Sequence, residues 1–221
     1  MQQIKEKWIN NIWEWADKNN ISDLEWIQHD SYLDAGYFRG LPRDREKLLS
    51  LTELNLLGSQ LSILPQEIGK LIKLKKLYLL DNKLTHLPSQ IGELTSLEEL
   101  YVSGNDLEEL PKEIGKLKSL KLLLVQENSL TSLPAEIGDL TNLRTLELGK
   151  NQLSSLPKEI GKLTDLKKLT IWKNGLTQLP NEIINLKSLQ LLDILYNKIG
   201  LEECHLHWLN DLINKECDVS I

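Results

Sequence analysis

The stretch LEELYVSGNDLEELPKEIGKLKS, from Leu97 to Ser119, decides the fold, because it is one copy of a unit that returns every 23 residues. Its opening leucine recurs at Leu51, Leu74, Leu120, Leu143, Leu166 and Leu189. Four further ladders keep the same register. Asparagine stands at Asn82, Asn105, Asn128, Asn151, Asn174 and Asn197, with Ser59 in its place in the first unit. Proline stands at Pro65, Pro88, Pro111, Pro134, Pro157 and Pro180, and isoleucine at Ile68, Ile91, Ile114, Ile137, Ile160 and Ile183. Glycine follows at Gly69, Gly92, Gly115, Gly138 and Gly161, until Ile184 breaks the series. No unit of this length closes its own core, so each must stack on its neighbours, and the chain is expected to be a solenoid.

The chemistry within one unit leads to the same place. In Leu100-Tyr101-Val102 two apolar residues flank an outward one, which is the period-two pattern of a short strand. Asn105 sits where the chain leaves that strand, and a buried asparagine can bond the backbone groups that a turn leaves unpaired. Pro111 ends the strand pattern, since it cannot donate a backbone hydrogen bond. The segment Pro-x-x-Ile-Gly-x-Leu is too short for a long helix, so a 3₁₀ turn or a short helix is expected on the convex side.

Written as L-x-x-L-x-L-x-x-N-x-L-x-x-L-P-x-x-I-G-x-L-x-x, the pattern resembles the leucine-rich-repeat family. It is similar to the subclass in Ras-pathway scaffolds, plant intracellular Ras-group repeat proteins and many bacterial proteins. The resemblance covers residues 51–199, six full units and a partial seventh. It implies an α/β repeat, a horseshoe arc with a concave parallel sheet, a ladder of stacked asparagines, and protein binding on the concave side.

A solenoid must hide both apolar ends. Stepping back one period from the first unit lands on Leu33, Phe38, Leu41, Pro42 and Leu48, so residues 28–50 read as a degenerate zeroth repeat, with Arg45 and Glu46 in place of Ile and Gly. Residues 1–27 read as a helical N-terminal cap. Ile4, Trp8, Ile12, Trp15 and Ala16 share one helical face, and Ser22-x-x-Glu25 looks like a capping box opening a second short helix with Leu24, Trp26 and Ile27. Trp8, Trp13, Trp15 and Trp26 are expected to lid the first repeat rather than dock a partner. At the other end, residues 200–221 read as a capping helix that ends near Glu216, with Leu201, Cys204, Trp208 and Leu212 at helical spacing and Leu209 and Ile213 beside them.

Each strand also sends side chains outward. The central outward column reads Asn55, Tyr78, Tyr101, Leu124, Glu147, Thr170, Asp193, and the next reads Leu57, Leu80, Ser103, Gln126, Gly149, Trp172, Leu195. Tyr78, Leu80, Tyr101 and Leu124 fall in consecutive units, with Leu122 extending them. Neighbouring strands lie ~4.8 Å apart, so these residues form one apolar patch. Trp172, Leu195 and Tyr196 form a second group. Aromatics on a rigid exposed sheet are typical anchors of a protein interface, so these eight residues are the candidate partner-binding site. The same face could pair two copies of the chain.

Charge narrows the partner. Lys and Arg number 26 against 32 Asp and Glu, a net charge of −6. Lys75, Lys76, Lys121, Arg144, Lys150, Lys167, Lys168 and Lys173 lie along the strands, interleaved with Asp81, Glu98, Glu99, Glu127, Glu147 and Asp193. Mixed signs fit a solvated face or a charge-complementary protein, not a phosphate backbone, so nucleic acid is not expected. No 18-residue apolar run is present, so membrane insertion is not expected either.

Catalytic motifs are missing. Gly69-Lys70, Gly115-Lys116 and Gly161-Lys162 lack the flanking residues of a phosphate loop, and no nucleophile elbow or zinc helix occurs. Cys204-His205-x-His207 is poorly spaced for one tetrahedral metal. Repeat proteins with ubiquitin-ligase activity carry a large further domain, for which this length leaves no room. The expectation is a non-enzymatic protein-binding module without cofactor or metal, with a secreted effector as the alternative. Two cysteines, Cys204 and Cys217, make no disulfide framework, and residues 1–20 lack the apolar core of a signal peptide. The protein is therefore expected to be cytoplasmic and bacterial, export by a signal-independent route being the other possibility.

Overall fold

The computed structural model describes residues 7–27 and 37–221. Ile4 of the expected first helix, and Leu33 with the rest of residues 28–36 of the expected zeroth repeat, lie outside the described residues.

The stack is an open solenoid built on one eight-stranded parallel sheet. Its strands are β3 (Glu53–Asn55), β4 (Lys76–Tyr78), β5 (Glu99–Tyr101), β6 (Leu122–Leu124), β7 (Thr145–Glu147), β8 (Lys168–Thr170), β9 (Leu191–Asp193) and β10 (Asp218–Ser220). Each pairs in register with the next, so Leu77, Leu100, Leu123, Leu146 and Leu169 align across the sheet. All five are fully buried. Burying such a side chain contributes ~1.5–3 kcal/mol, and the repeat multiplies that gain along the stack.

The asparagines form the expected ladder. Asn128 Oδ1 accepts from Leu107 N of the preceding unit at 3.0 Å, while its Nδ2 donates to Val102 O and Val125 O. The same arrangement recurs from Asn82 to Asn197. Buried backbone groups with no strand partner are thereby satisfied. After each proline of the ladder comes a 3₁₀ turn, as in Lys112–Lys116 and Lys158–Lys162. Consecutive turns approach so closely that a Cβ on Gly115 would sit 2.6 Å from Glu136 O. The series breaks at Ile184 because no further 3₁₀ turn follows it; a helix packs there instead.

At the N-terminus, α1 (Lys7–Lys18) lies on the first 3₁₀ turn and buries Ile9, Ile12 and Ala16. Trp8, Trp13 and Trp15 pack against the core, half-buried. Trp13 Nε1 donates to Pro42 O at 3.0 Å, and Trp15 Nε1 to Ile63 O at 3.1 Å. The expected second helix is not formed. Residues Glu25–Ile27 are a strand, β1, paired antiparallel with β2 (Tyr37–Arg39). The Ser22 hydroxyl bonds the Glu25 carboxylate instead of capping a helix, and Asp23 accepts from Leu24 N and Arg43 N. These two backbone bonds hold the Asp23 carboxyl below its ordinary range. Arg43 locks the lid by donating to Trp13 O and Ile21 O and pairing with Asp17 at 2.7 Å.

In the zeroth repeat Leu41, Pro42 and Leu48 are buried, whereas Phe38, expected inside, is 53% exposed. Its strand follows β1 rather than the parallel sheet, touching that sheet through Gly40 N to Asn55 O. A short helix, α2 (Arg45–Ser50), capped by Asp44, leads into the first full unit.

At the C-terminus, α3 (Glu203–Ile213) buries His205, Trp208, Leu209 and Leu212. It stops at Ile213 rather than near Glu216, and Ile213 is exposed. The chain then turns to add β10 to the sheet, where Val219 sits opposite Leu192. Among the described residues no helix is long and apolar enough to cross a membrane.

Candidate functional site

The concave face is a grid of side chains set by strand register. Tyr78, Tyr101 and Leu124 occupy one position in β4, β5 and β6 and are direct neighbours across the sheet. The tyrosine rings stack, with centroids 4.4 Å apart and planes 14° from parallel. Tyr101 Oη donates to Glu99 Oε2 at 2.6 Å, and Glu99 pairs with Lys76 at 3.0 Å. Burial, then the hydrogen bond to Glu99, holds the Tyr101 phenol far above its ordinary range. Burial, then the Glu53 charge, raises that of Tyr78. Leu122 lies in register with Glu99 on one side and Thr145 on the other. Leu80 follows Tyr78 on the exit from β4. All five candidate residues of this patch are half-buried.

Beside the patch runs a polar chain. Ser103 Oγ donates to Gln126 Oε1 at 2.8 Å, Gln126 Nε2 donates to Glu147, and Glu147 pairs with Lys168 at 2.6 Å. This chain fixes the rotamers around Leu124, so the apolar patch is presented on a preorganised surface.

The second candidate group is separated from the first by β7. Trp172 lies over the buried Gly149, where any Cβ would collide with the indole, and Lys150 Nζ stands 5.3 Å from its ring centroid. That cation–π contact and the glycine floor leave the indole half-buried. Leu195 and Tyr196 instead line a groove of about 310 Å³ with Ile199, Leu201 and Ile221 at the C-terminal end. Leu195 is half-buried and Tyr196 is 76% exposed.

Three residues in the outward columns are not offered to a partner. Asn55 and Thr170 are buried, and Gly149 lies beneath the indole. Asn55 and Asp193 each accept from the backbone two residues on, at Leu57 N and Leu195 N. The Thr170 hydroxyl, between Glu147 and Asp193, is buried with no hydrogen-bond partner.

The backbone of one row escaped the sequence reading, although most of its members were named there. The residue before each ladder asparagine has positive φ: Asp81, Glu127, Lys150, Lys173 and Tyr196 lie between 53° and 59°, with Gly104 at 68°. The left-handed backbone turns these side chains onto the rim of the face. Gly58 and Gly104 were its only sequence signal, because glycine takes that conformation without strain.

Glu202, Cys204 and His205 bring ligand-type atoms within 4.8 Å of one another. Helix capping occupies Glu202 and His205 Nδ1, whereas Cys204 Sγ lies 3.7 Å from Asn181 Oδ1 and His205 Nε2 is buried with no hydrogen-bond partner among the described residues. Glu202 accepts from the His205 backbone, and His205 Nδ1 accepts from Glu202 N at 3.1 Å. His207, which the sequence groups with them, bonds Glu203 O instead.

A family model described as the leucine-rich repeat region matches residues 100–175 and 135–213, and a second, for the leucine rich repeat, matches residues 49–107. No curated protein matches the chain. Among solved structures, the ectodomain of the plant membrane receptor kinase GASSHO1/SCHENGEN3 from Arabidopsis thaliana, in complex with CASPARIAN STRIP INTEGRITY FACTOR 2, is 32% identical with a TM-score of 0.66 over 71% of this chain. The plant peptide hormone receptor RGFR1 in complex with RGF2 is 37% identical with a TM-score of 0.61 over 68%. An internalin from Listeria monocytogenes is 26% identical with a TM-score of 0.65 over 76%. The chain spans 20%, 25% and 48% of those three chains.

Proposed function

The chain belongs to the leucine-rich-repeat family, and from that premise we propose that it is a non-enzymatic module that binds a partner protein on its concave face. Domains of this family typically bind proteins. The observation that carries the assignment to this face is the stacked Tyr78–Tyr101 pair continued by Leu122 and Leu124. A stacked aromatic pair on a rigid sheet offers large apolar area at little entropic cost. Trp172 serves as a second anchor, separated from the first by Glu147 and Lys168. The two receptor structures of similar fold, each solved with a bound ligand, support a binding role. The two free thiols fit a reducing compartment such as the cytoplasm, and the likeness to an internalin from Listeria monocytogenes fits a bacterial source.

The test is capture from lysate of the producing organism, with a photo-crosslinker placed at Gln126 on the concave face or at Lys162 on the convex side. Crosslinking to one partner from Gln126 alone, lost on Tyr101→Ala/Leu124→Asp, is expected. Equal capture by wild type and the double variant would make the concave-face reading wrong.

A further inference from the structure

Resting on that reading, we propose that the occupant is an extended acidic peptide segment. It sets an apolar side chain on Tyr101, Leu122 and Leu124, and a carboxylate one to three residues away between Arg144 and Lys167. The reason is a pair of neighbouring cations without carboxylate partners among the described residues, on a face where five of the eight strand-side cations are paired and the third unpaired one, Lys173, stands apart. Lys76 pairs with Glu99, Lys168 with Glu147 and Lys150 with Glu127, while Glu98 serves both Lys75 and Lys121. Arg144 and Lys167 are exposed and have no carboxylate partner among the described residues. They are adjacent, since Lys167 N bonds Arg144 O at 2.8 Å across the sheet. Two uncompensated cations therefore stand side by side in a chain of net charge −6.

The geometry joins them to the patch. Leu122 is in register with Thr145, so Arg144 is one strand over and one residue back, a backbone offset of about 6 Å from the strand spacing and rise. An extended ligand covers that distance in two residues. The guanidinium of Arg144 can hold a carboxylate through two parallel bonds, with Lys167 adding a point charge. A phosphate backbone fits less well, because two cations set among Glu147, Glu127 and Asp193 release few counterions.

A phage-displayed library of random linear peptides, panned on the full chain, tests this. The expected winners carry Asp or Glu within three residues of an aromatic or aliphatic side chain. A synthetic winner should lose about tenfold in affinity on Arg144→Glu/Lys167→Glu, the scale of one charge-assisted bond, and should weaken with added salt. Arg144→Gln/Lys167→Gln repeats the comparison without charge reversal should that variant misfold. Winners without acidic bias, or winners that bind the charge variants as well as wild type, overturn the acidic occupant. The concave-face reading survives that result if Tyr101→Ala/Leu124→Asp still abolishes binding, and falls if it does not. A library without binders contradicts a peptide occupant, and a dimer broken by Tyr101→Ala/Leu124→Asp would place a second copy there instead.

Discussion

On the inward side of the stack, Leu100, Leu123, Leu146 and Leu169 are one residue type, in register and fully buried. One residue further along the same strands, the concave side shows Tyr101, Leu124, Glu147 and Thr170. The two sides share a backbone and differ in what constrains them. An inward position faces its own copy in the next unit, so one solution serves throughout. A concave position faces solvent or a partner and is free to vary. Repetition therefore marks stability here, and on the proposed reading its absence marks specificity.

The largest expected effect breaks the inward side at its end. Removing residues 1–27 strips α1 and its tryptophans from the first unit and should cause aggregation, whereas removing Leu97–Ser119 joins Ser96 to Leu120 in register and should leave a folded, shorter stack. Light scattering and thermal melts compare them; a soluble, cooperatively melting chain without residues 1–27 would refute the lid. Next comes Gly115→Ala. Its Cβ would meet Glu136 O at 2.6 Å, and forcing two convex turns apart should cost about 3 kcal/mol in urea unfolding. A loss below about 1 kcal/mol would mean that the turns yield. Asn128→Ala should cost about 2 kcal/mol by orphaning Leu107 N, and a neutral result would show that water replaces the ladder.

The smallest effect belongs to the concave side. The phenols of Tyr78 and Tyr101 are raised above 10.0 mainly by burial. A raised folded value favours the protonated form, so their stabilising contribution is full below pH 10.0 and is lost as pH climbs through the folded values. Melting temperature should fall above pH 10.0, less so in Tyr101→Phe. An identical fall in that variant would assign the effect elsewhere.

The same contrast explains what could be read in advance. Strands, asparagine ladder and 3₁₀ turns were legible because each rests on a side-chain pattern repeated in every unit. The caps were not. Ser22 and Glu25 carry a helix signal, but pairing of β1 with β2 and the Asp23–Arg43 contacts override it. Asp218–Ser220 has no strand signature and is extended because β9 offers an open edge. On the concave face, alternation revealed which residues point outward. It could not reveal that Trp172 lies down on Gly149, which depends on a residue one unit away, or that Thr170 is covered.

The most direct test of the division between the two sides measures stability and binding on one variant. Tyr101→Ala/Leu124→Asp should keep its unfolding free energy in urea within about 1 kcal/mol of wild type. By titration calorimetry it should lose at least tenfold in affinity for a peptide selected on the wild-type chain. Unchanged affinity, or a loss of binding that merely tracks unfolding, would contradict the claim that this patch is the binding surface.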